Sequence, residues 1–227
     1  MSHLTPKPNV LNVYGAGTPN FVKVQILLEE KNIPHVYHKI DFSKNEQFDP
    51  EFLKFSPNNK IPAIVDNTVE PNGISVFESA AILMYLSEKH QFTDLYADFK
   101  TDPALHAKHL EFLFFQMSGV GPMTGQLGWF LRQPEPKNTQ AIERYSEEVK
   151  RLYRVLDKIL STNTWVAGEQ YSIADISLLG WALYFLKGYY DDHITREQFP
   201  NVYRWLDLAA KRPAIIKVLE TIQPKQK

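Results

Sequence analysis

Residues 10–40 read VLNVYGAGTPNFVKVQILLEEKNIPHVYHKI, and their changes of period decide the fold. VLNVY (10–14) is an apolar run of strand length, and GAGT after it is a turn. Phe21, Val24, Leu27 and Leu28 then recur at helical spacing, with Thr18 suited to the N-cap and Pro19 to the first helical position. Lys31, Asn32 and Pro34 end that helix, and HVYHKI (35–40) reads as a second strand. A strand, helix, strand unit of this length predicts two parallel strands joined by a helical crossover.

The elements that follow close a small sheet. DPEFLKF (49–55) supports a short helix at most, because SPNNKIP (56–62) interrupts it with two prolines. IPAIVD (61–66) and GISVF (73–77) are apolar runs joined by a polar turn, which predicts a hairpin. A helix runs from Glu78 through ESAAILMYLSEKH (78–90), with Ala81, Ile82, Tyr85 and Leu86 expected on its inner face. QFTDLYADFKTD (91–102) has no clear period and reads as a linker. Beyond it, helical patterns cover 103–131, 137–160, 172–187, 200–211 and 213–222, with no strand among them. The expected fold class is an α/β N-terminal domain over 1–90 in the order β-α-β-α-β-β-α, a linker over 91–102 and an all-α domain over 103–227.

Composition narrows the classes of function. Of 227 residues 44% are hydrophobic and 22% charged, which is too apolar for disorder, and the length admits two small domains. The 25 Lys and Arg nearly balance 26 Asp and Glu, so no strong field gathers nucleic acid or an anionic membrane. No apolar run reaches the roughly 18 residues of a membrane span, and MSHLTPKPNV (1–10) lacks a signal peptide's apolar core, so a cytoplasmic protein is expected. The chain has no cysteine, which excludes disulfides, thiolate metal sites and a protein-borne thiol nucleophile. Sulfur chemistry would have to bring its sulfur with the ligand.

Three features suggest a ligand site. Pro62 begins an apolar strand that ought to be central, where a missing backbone donor is a fault. A cis Ile61–Pro62 bond would resolve it and turn the backbone of Ile61 outward toward an extended peptide; an edge strand with a trans proline is the plainer reading. Glu78 and Ser79 open a helix, where free N–H groups and the positive dipole end suit a carboxylate and Glu78 could bind an ammonium; alternatively both only cap their own helix. Thr18 and Asn20 open the first helix in the same way, and Thr18 could simply cap the N–H of Phe21.

NVYGAGTPNFVKVQILLEE, SPNNKIPAIVD, FESAAILMYL and YSIADISLLGWA, in this order, resemble the glutathione transferase superfamily, with its thioredoxin-like N-terminal and helical C-terminal domains. More narrowly, TPN, SPNNKIPAIVD, GVGPMTGQ and AIERYSEE resemble the nu-class, bacterial disulfide-bond oxidoreductase branch, itself similar to a prion-forming yeast nitrogen-catabolite regulator. The resemblance implies glutathione as co-substrate, held by Lys60 and the backbone of Ile61 beside a cis Pro62. It implies further that Glu78 and Ser79 bind the γ-glutamyl end, that Gln47 and Asn20 line the groove, and that Arg144 approaches from the C-terminal domain. A homodimer is also implied.

Glutathione's thiol resembles free cysteine, with a pKa near 8.5, so only a few per cent is thiolate at neutral pH. Each pKa unit is worth about 1.4 kcal/mol, which a helix N-terminus plus one good hydrogen bond can supply. Tyr14 matches the tyrosine that many transferases use, whereas the serine of other classes falls at Gly17. In the branch resembled here the threonine and asparagine of TPN face the sulfur, which points to Thr18 and Asn20 as donors. Tyr14 stays open as a core residue or alternative donor.

The bound thiolate could attack a disulfide, with a second glutathione resolving the product, or a peroxide or small electrophile. A glutathione-dependent disulfide reductase or transferase is therefore expected, against a non-catalytic glutathione-binding regulator or a translation-factor domain of the same fold. The translation-factor reading is the weaker one, since no appended domain is expected after residue 227. About nine residues precede the first strand, where the regulator resembled has a long asparagine-rich extension, which favours the enzyme. Gly119, Gly121 and Pro122 should kink the helix over 103–131, and Phe115, Met117, Met123 and Trp129 near the kink could shape a second-substrate pocket or belong to core or dimer contacts. Ser172 and Asp175 form a structural capping box. His106 and His109 share a face with Asp102 but lack a further ligand, so no metal is expected, and Asp191, Asp192 and His193 read as a solvated loop.

Overall fold

Leu11–Gly15 forms the first strand, β1, and all five residues are buried, as its unbroken apolar character requires. Thr18 then caps α1 (Pro19–Glu30), and the chain returns as β2 (Val36–Lys39), parallel to β1 with Asn12 opposite Val36. These coordinates, a computed structural model, describe residues 2–69 and 73–225. Two single-turn 3-10 segments and the short helix α2 (Pro50–Leu53) lead into the antiparallel pair β3 (Ala63–Asp66) and β4 (Ile74–Phe77). Part of the polar turn expected between them, Glu70 to Asn72, lies outside the described residues, as do the outermost residues of the expected domain ranges, Met1, Gln226 and Lys227. The sheet order is β2-β1-β3-β4, with β3 antiparallel to β1, and α3 (Ser79–Lys89) completes the thioredoxin-like arrangement.

One side of this sheet is covered by an aromatic cluster of Tyr14, Phe52 and Phe55 with Leu4, Ile40, Ala63 and Val65. α1 and α3 pack on each other through buried Val24, Leu27, Ile82, Leu83 and Leu86. The inner face of α3 differs from the expected one: Ala81 is exposed and Tyr85 only half buried, while Ser79, Leu83 and Ser87 are buried with Ile82 and Leu86. The two small serines occupy the inner stripe, where a count of apolar residues passes over them. Tyr85 instead reaches the rim, where its hydroxyl donates to Asp66 Oδ2 at 2.8 Å. Burial pushes the Asp66 carboxyl up, but donors from Lys89, Thr68 and Tyr85 outweigh it and hold the group below the usual range.

Contacts divide the chain after Gln91, and Phe92 to Lys225 form a helical unit. It contains α4 (Pro103–Phe115), α5 (Gly121–Leu131), α6 (Thr139–Leu160), α7 (Ile173–Ala182), α8 (Pro200–Ala209) and α9 (Pro213–Thr221). Between α4 and α5 the chain makes a π-turn over Gln116–Val120 where a kink was expected. Pro122 has no N–H to continue the i→i−4 ladder, and the widened turn accommodates the missing bond. Gln116 folds back so closely that a Cβ on Gly121 would stand 2.5 Å from its Nε2, and Ser177 Oγ donates to its Oε1 at 3.1 Å.

Both halves of the expected capping box form at Ser172 and Asp175. Asp175 is fully buried and also accepts from the Val166 N–H at 3.0 Å and Trp205 Nε1 at 2.9 Å, so one carboxylate joins three segments. Burial raises its pKa to about 6 against the pull of these donors. Asp157 on α6 plays a similar part for α8, whose N-cap Phe199 offers no side-chain bond: it accepts from the N–H groups of Asn201 and Val202. His106 and His109 clasp the linker through the carbonyl and N–H of Ala97. His193 also departs from the solvated-loop reading, since its Nδ1 lies 2.8 Å from Ser146 Oγ on α6.

Candidate functional site

The N-terminal unit contains a cleft of about 260 Å³ lined by Asn20, Lys60, Ile61, Pro62, Phe77, Glu78 and Ser79. It lies where the start of α1, the loop entering β3 and the start of α3 converge. The Ile61–Pro62 bond is cis, and β3 pairs with β1 on one side and β4 on the other, so the edge-strand reading fails. The ladder begins at Ala63, one residue past the proline, which leaves Ile61 beyond the paired sheet and at the cleft. Ser56 Oγ fixes the approach by donating to the Lys60 carbonyl at 2.7 Å.

Glu78 does not cap α3 with its side chain: no side-chain cap bond forms, and its backbone has φ 75° and ψ 118°. A non-glycine residue rarely adopts positive φ, and such strained positions cluster where ligands are held. The effect is to present an exposed carboxylate at the cleft while the first helical residue, Ser79, turns inward and is buried. Below them Lys23 of α1, fully buried, donates from Nζ to Ser79 Oγ at 3.1 Å. Burial lowers the Lys23 pKa to about 7, partly opposed by the negative charge of Glu78.

Asn20, which also lines the cleft, occupies the second position of α1. Thr18 caps this helix, its Oγ1 accepting from the Phe21 N–H at 3.4 Å, and sits two residues before Asn20 without lining the cleft. Gly17 is exposed, and a Cβ built there would meet nothing within 4 Å, so the turn leaves open space beside the helix start. Tyr14 is a core residue. Its ring stacks on His38 with centroids 4.5 Å apart, and its hydroxyl donates to the Leu4 carbonyl at 2.9 Å. Burial pushes its pKa up strongly, and it is fully enclosed, so neither its proton nor its surface is available to a ligand.

Two further expected residues belong to other elements. Gln47, in a 3-10 turn, is half buried with its Oε1 enclosed and without a hydrogen-bond partner among the described residues. Arg144 is exposed on α6 in the helical unit, where its charge helps hold the Glu148 carboxyl low, after the larger effect of Arg151. Phe115, Met117 and Met123 are half buried and Trp129 is 51% exposed. A larger groove of about 650 Å³ follows the free edge of β2, past His3, Lys7, Tyr37, Asp41 and Lys44, and none of the expected site residues lines it. Among the described residues no group of three His, Cys, Asp or Glu is placed to hold a metal.

Sequence reasoning missed Lys23 and Phe77. Lys23 was legible: it lies one turn after Asn20 and one turn before Leu27, on the apolar stripe of α1, where a lysine is out of place. Phe77 gave no such signal, since a strand-end phenylalanine is ordinary core.

A thioredoxin-like unit with a cis-proline cleft at two helix N-termini, joined in sequence to a helical unit, defines a two-domain class of protein. Family models for the glutathione S-transferase N-terminal domain match residues 9–88, and those for its C-terminal domain residues 121–213. The chain belongs to the glutathione S-transferase family. It is 42% identical over 207 residues to the disulfide-bond oxidoreductase YfcG of Escherichia coli, covering 90% of this chain and 92% of that one. A glutathione transferase family member from Pseudomonas fluorescens, solved with two glutathiones bound, superposes with a TM-score of 0.85 at 40% identity over 94% of this chain and 93% of that one. A glutathione transferase from Pseudomonas putida, with one glutathione disulfide per subunit, gives 0.86 at 40% identity over 95% and 93%. Among the described residues no helix is long and apolar enough to cross a membrane.

Proposed function

We propose that this protein is a glutathione-dependent disulfide-bond reductase. The observation that carries the reading is one cleft that joins Asn20, the cis Pro62 loop and the α3 start in a chain without cysteine. Glutathione lies along Lys60 and the outward backbone of Ile61, with its γ-glutamyl carboxylate at Ser79 and its ammonium at Glu78. Asn20, helped by the Thr18 hydroxyl, donates to the sulfur, and the start of α1 adds positive potential, so the thiolate is favoured. Gln47 binds glutathione more peripherally.

The thiolate attacks one sulfur of a low-molecular-weight disulfide. The S–S bond breaks, the other half leaves as a thiolate that takes up a proton, and a mixed disulfide with glutathione forms. A second glutathione attacks that mixed disulfide and releases glutathione disulfide and the second thiol. Two thiols are thus oxidised for one disulfide reduced. The same thiolate serves slower peroxide reduction or transfer to small electrophiles, and the protein acts in the cytoplasm as a homodimer. Relatives bearing glutathione, glutathione disulfide or the name of a disulfide-bond oxidoreductase support this reading.

The test is a paired assay of purified protein: glutathione with hydroxyethyl disulfide, and glutathione with an aryl halide. Turnover in the first exceeding the second is expected. Retention on a glutathione column with turnover in neither would refute an enzyme and leave a glutathione-binding regulator.

A further inference from the structure

The outer edge of β2 carries a groove that the proposed reaction does not use. The Ile40 N–H donates to the Gly15 carbonyl at 2.9 Å, so in the parallel register the backbones of Val36, His38 and Ile40 turn toward β1. Those of Tyr37 and Lys39 turn outward, and no backbone group among the described residues bonds them. His38, on the face opposite Tyr37 and Lys39, is buried, with Nδ1 2.8 Å from the His3 carbonyl and Nε2 2.9 Å from Asn12 Oδ1. Asn12 also fixes Lys7, accepting from its N–H at 2.7 Å and donating from Nδ2 to its carbonyl at 2.9 Å. The N-terminal segment held in this way, and the turns that carry Asp41, Lys44 and Glu46, complete a groove of about 650 Å³. Its acids are already engaged. Glu46 accepts from the Asp41 N–H at 2.8 Å and lies 3.3 Å from His3 Nε2, while Asp41 accepts from the Ser43 N–H at 3.0 Å and hydroxyl at 2.6 Å and pairs with Lys44 at 3.4 Å. The exposed ammonium groups of Lys7 and Lys39 have no acidic partner among the described residues, so the unbalanced charge of the groove is positive. A lysine on an edge strand also serves to repel a second copy of the same edge. That role needs neither walls nor a second lysine, and it disfavours this chain's own edge as the occupant.

We infer that the β2 edge is a docking site for an extended, acidic peptide segment of another protein, which adds to the sheet beside β2 and brings carboxylates to Lys7 and Lys39. The N–H and C=O groups of Tyr37 and Lys39 bond its backbone, and the two lysines give the preference for acidic side chains. At about 3.3 Å per residue, a segment of about five residues spans this edge. The Tyr37 ring, stacked on Phe21 with centroids 5.3 Å apart and 46% exposed, offers one apolar contact between the charged ones. A nucleic acid or an anionic membrane fits less well: the chain's net charge is −1 and two acids lie within the groove, so no wider basic field surrounds the two lysines. The inference goes beyond the glutathione reading and stands without it, since no residue of the cis-proline cleft lines this groove.

The test titrates the full-length protein with a blocked, fluorescent hexapeptide of alternating Glu and Thr, and in parallel with the same peptide carrying Lys in place of Glu. Anisotropy gives the affinities, and amide shifts with hydrogen exchange on isotope-labelled protein locate the site. Saturable binding of the Glu peptide, at least about tenfold tighter than the Lys peptide, is expected, with shifted resonances and slowed exchange at the N–H groups of Tyr37 and Lys39. Lys7→Ala and Lys39→Ala should each weaken it about two- to fivefold, and Lys39→Glu should weaken it further. Lys39→Pro, which removes an outward N–H and leaves the ladder to β1 intact, should weaken it beyond Lys39→Ala. Hydroxyethyl disulfide turnover should stay within about twofold in the alanine variants, which touch no residue of the cleft. No saturable binding up to about 1 mM, equal binding of the two peptides, or exchange protection that leaves Tyr37 and Lys39 unchanged would overturn the inference. An oligothymidylate of equal charge that binds as tightly as the Glu peptide would assign the groove to polyanions at large and overturn it as well.

Discussion

Tyr14→Phe separates the two ways this fold could activate a thiol. In the structure the Tyr14 hydroxyl is spent on the Leu4 carbonyl at 2.9 Å, inside a cluster where Leu4 and the ring itself are fully enclosed. Removing it deletes one hydrogen bond, worth about 0.5–1.5 kcal/mol net, and leaves a buried carbonyl unsatisfied, for which the penalty is about 1–3 kcal/mol. The expected cost is therefore about 1–3 kcal/mol of stability, read as a lower urea midpoint at unchanged slope. Turnover of hydroxyethyl disulfide should stay within about twofold, because no proton of Tyr14 reaches the cleft. A tyrosine that did stabilise the thiolate would act as an anion-hole donor does, and its loss would cost about a hundredfold in rate. A fall in kcat/KM beyond about tenfold with the urea midpoint unmoved would refute this assignment.

Three further outcomes follow from the same geometry. Asn20→Ala should lower disulfide turnover at least about tenfold with an unchanged circular dichroism spectrum, since the residue lines the cleft at the second helical position; a silent Asn20→Ala would remove it from the thiol site. Asp175→Ala should cost about 3–5 kcal/mol by urea unfolding, because the fixed donors on Val166, Ser172 and Trp205 lose their acceptor while the burial cost of one charge is relieved; a loss under about 1 kcal/mol would show that water replaces the carboxylate. For Lys23, whose pKa falls from 10.5 to about 7 on burial, the folded lysine is neutral while the unfolded one still holds its proton between these values. The wild type should therefore gain stability relative to Lys23→Met as pH rises from about 7 toward 10, by no more than about 5 kcal/mol at about 1.4 kcal/mol per pH unit. A difference between the two that is flat across this range would show Lys23 to be solvated.

The order of elements was legible because each rests on a local signal. Thr18, Pro19 and the Phe21, Val24, Leu27 spacing define α1 without tertiary help, and the Ser172–Asp175 box defines α7. What was not legible depends on partners distant in the chain. The inner face of α3 is set by the tie of Tyr85 to Asp66 and by serines small enough to lie against α1, and neither enters a hydrophobicity pattern. The π-turn over Gln116–Val120 depends on a proline and on Ser177 some 60 residues away, and a sequence shows the first as a generic helix defect. Tyr14 was ambiguous for the same reason: its position in the strand suits either role, and only the proximity of Leu4 decides between them.

The cleft combines both kinds of information, and this explains how a chain without cysteine can hold a thiol in a reactive state. Local signals place two helix N-termini, each bringing positive potential to an anion. The long-range fold brings them to one cavity together with the cis Pro62 loop. In the proposed reading, a peptide that carries a carboxylate at one end and a thiol further along is anchored at α3 and activated at α1. Anchoring energy realised away from the sulfur orients the thiolate without holding the sulfur itself. Nucleophile and leaving thiol remain exchangeable ligands, so the protein itself is never the oxidised partner.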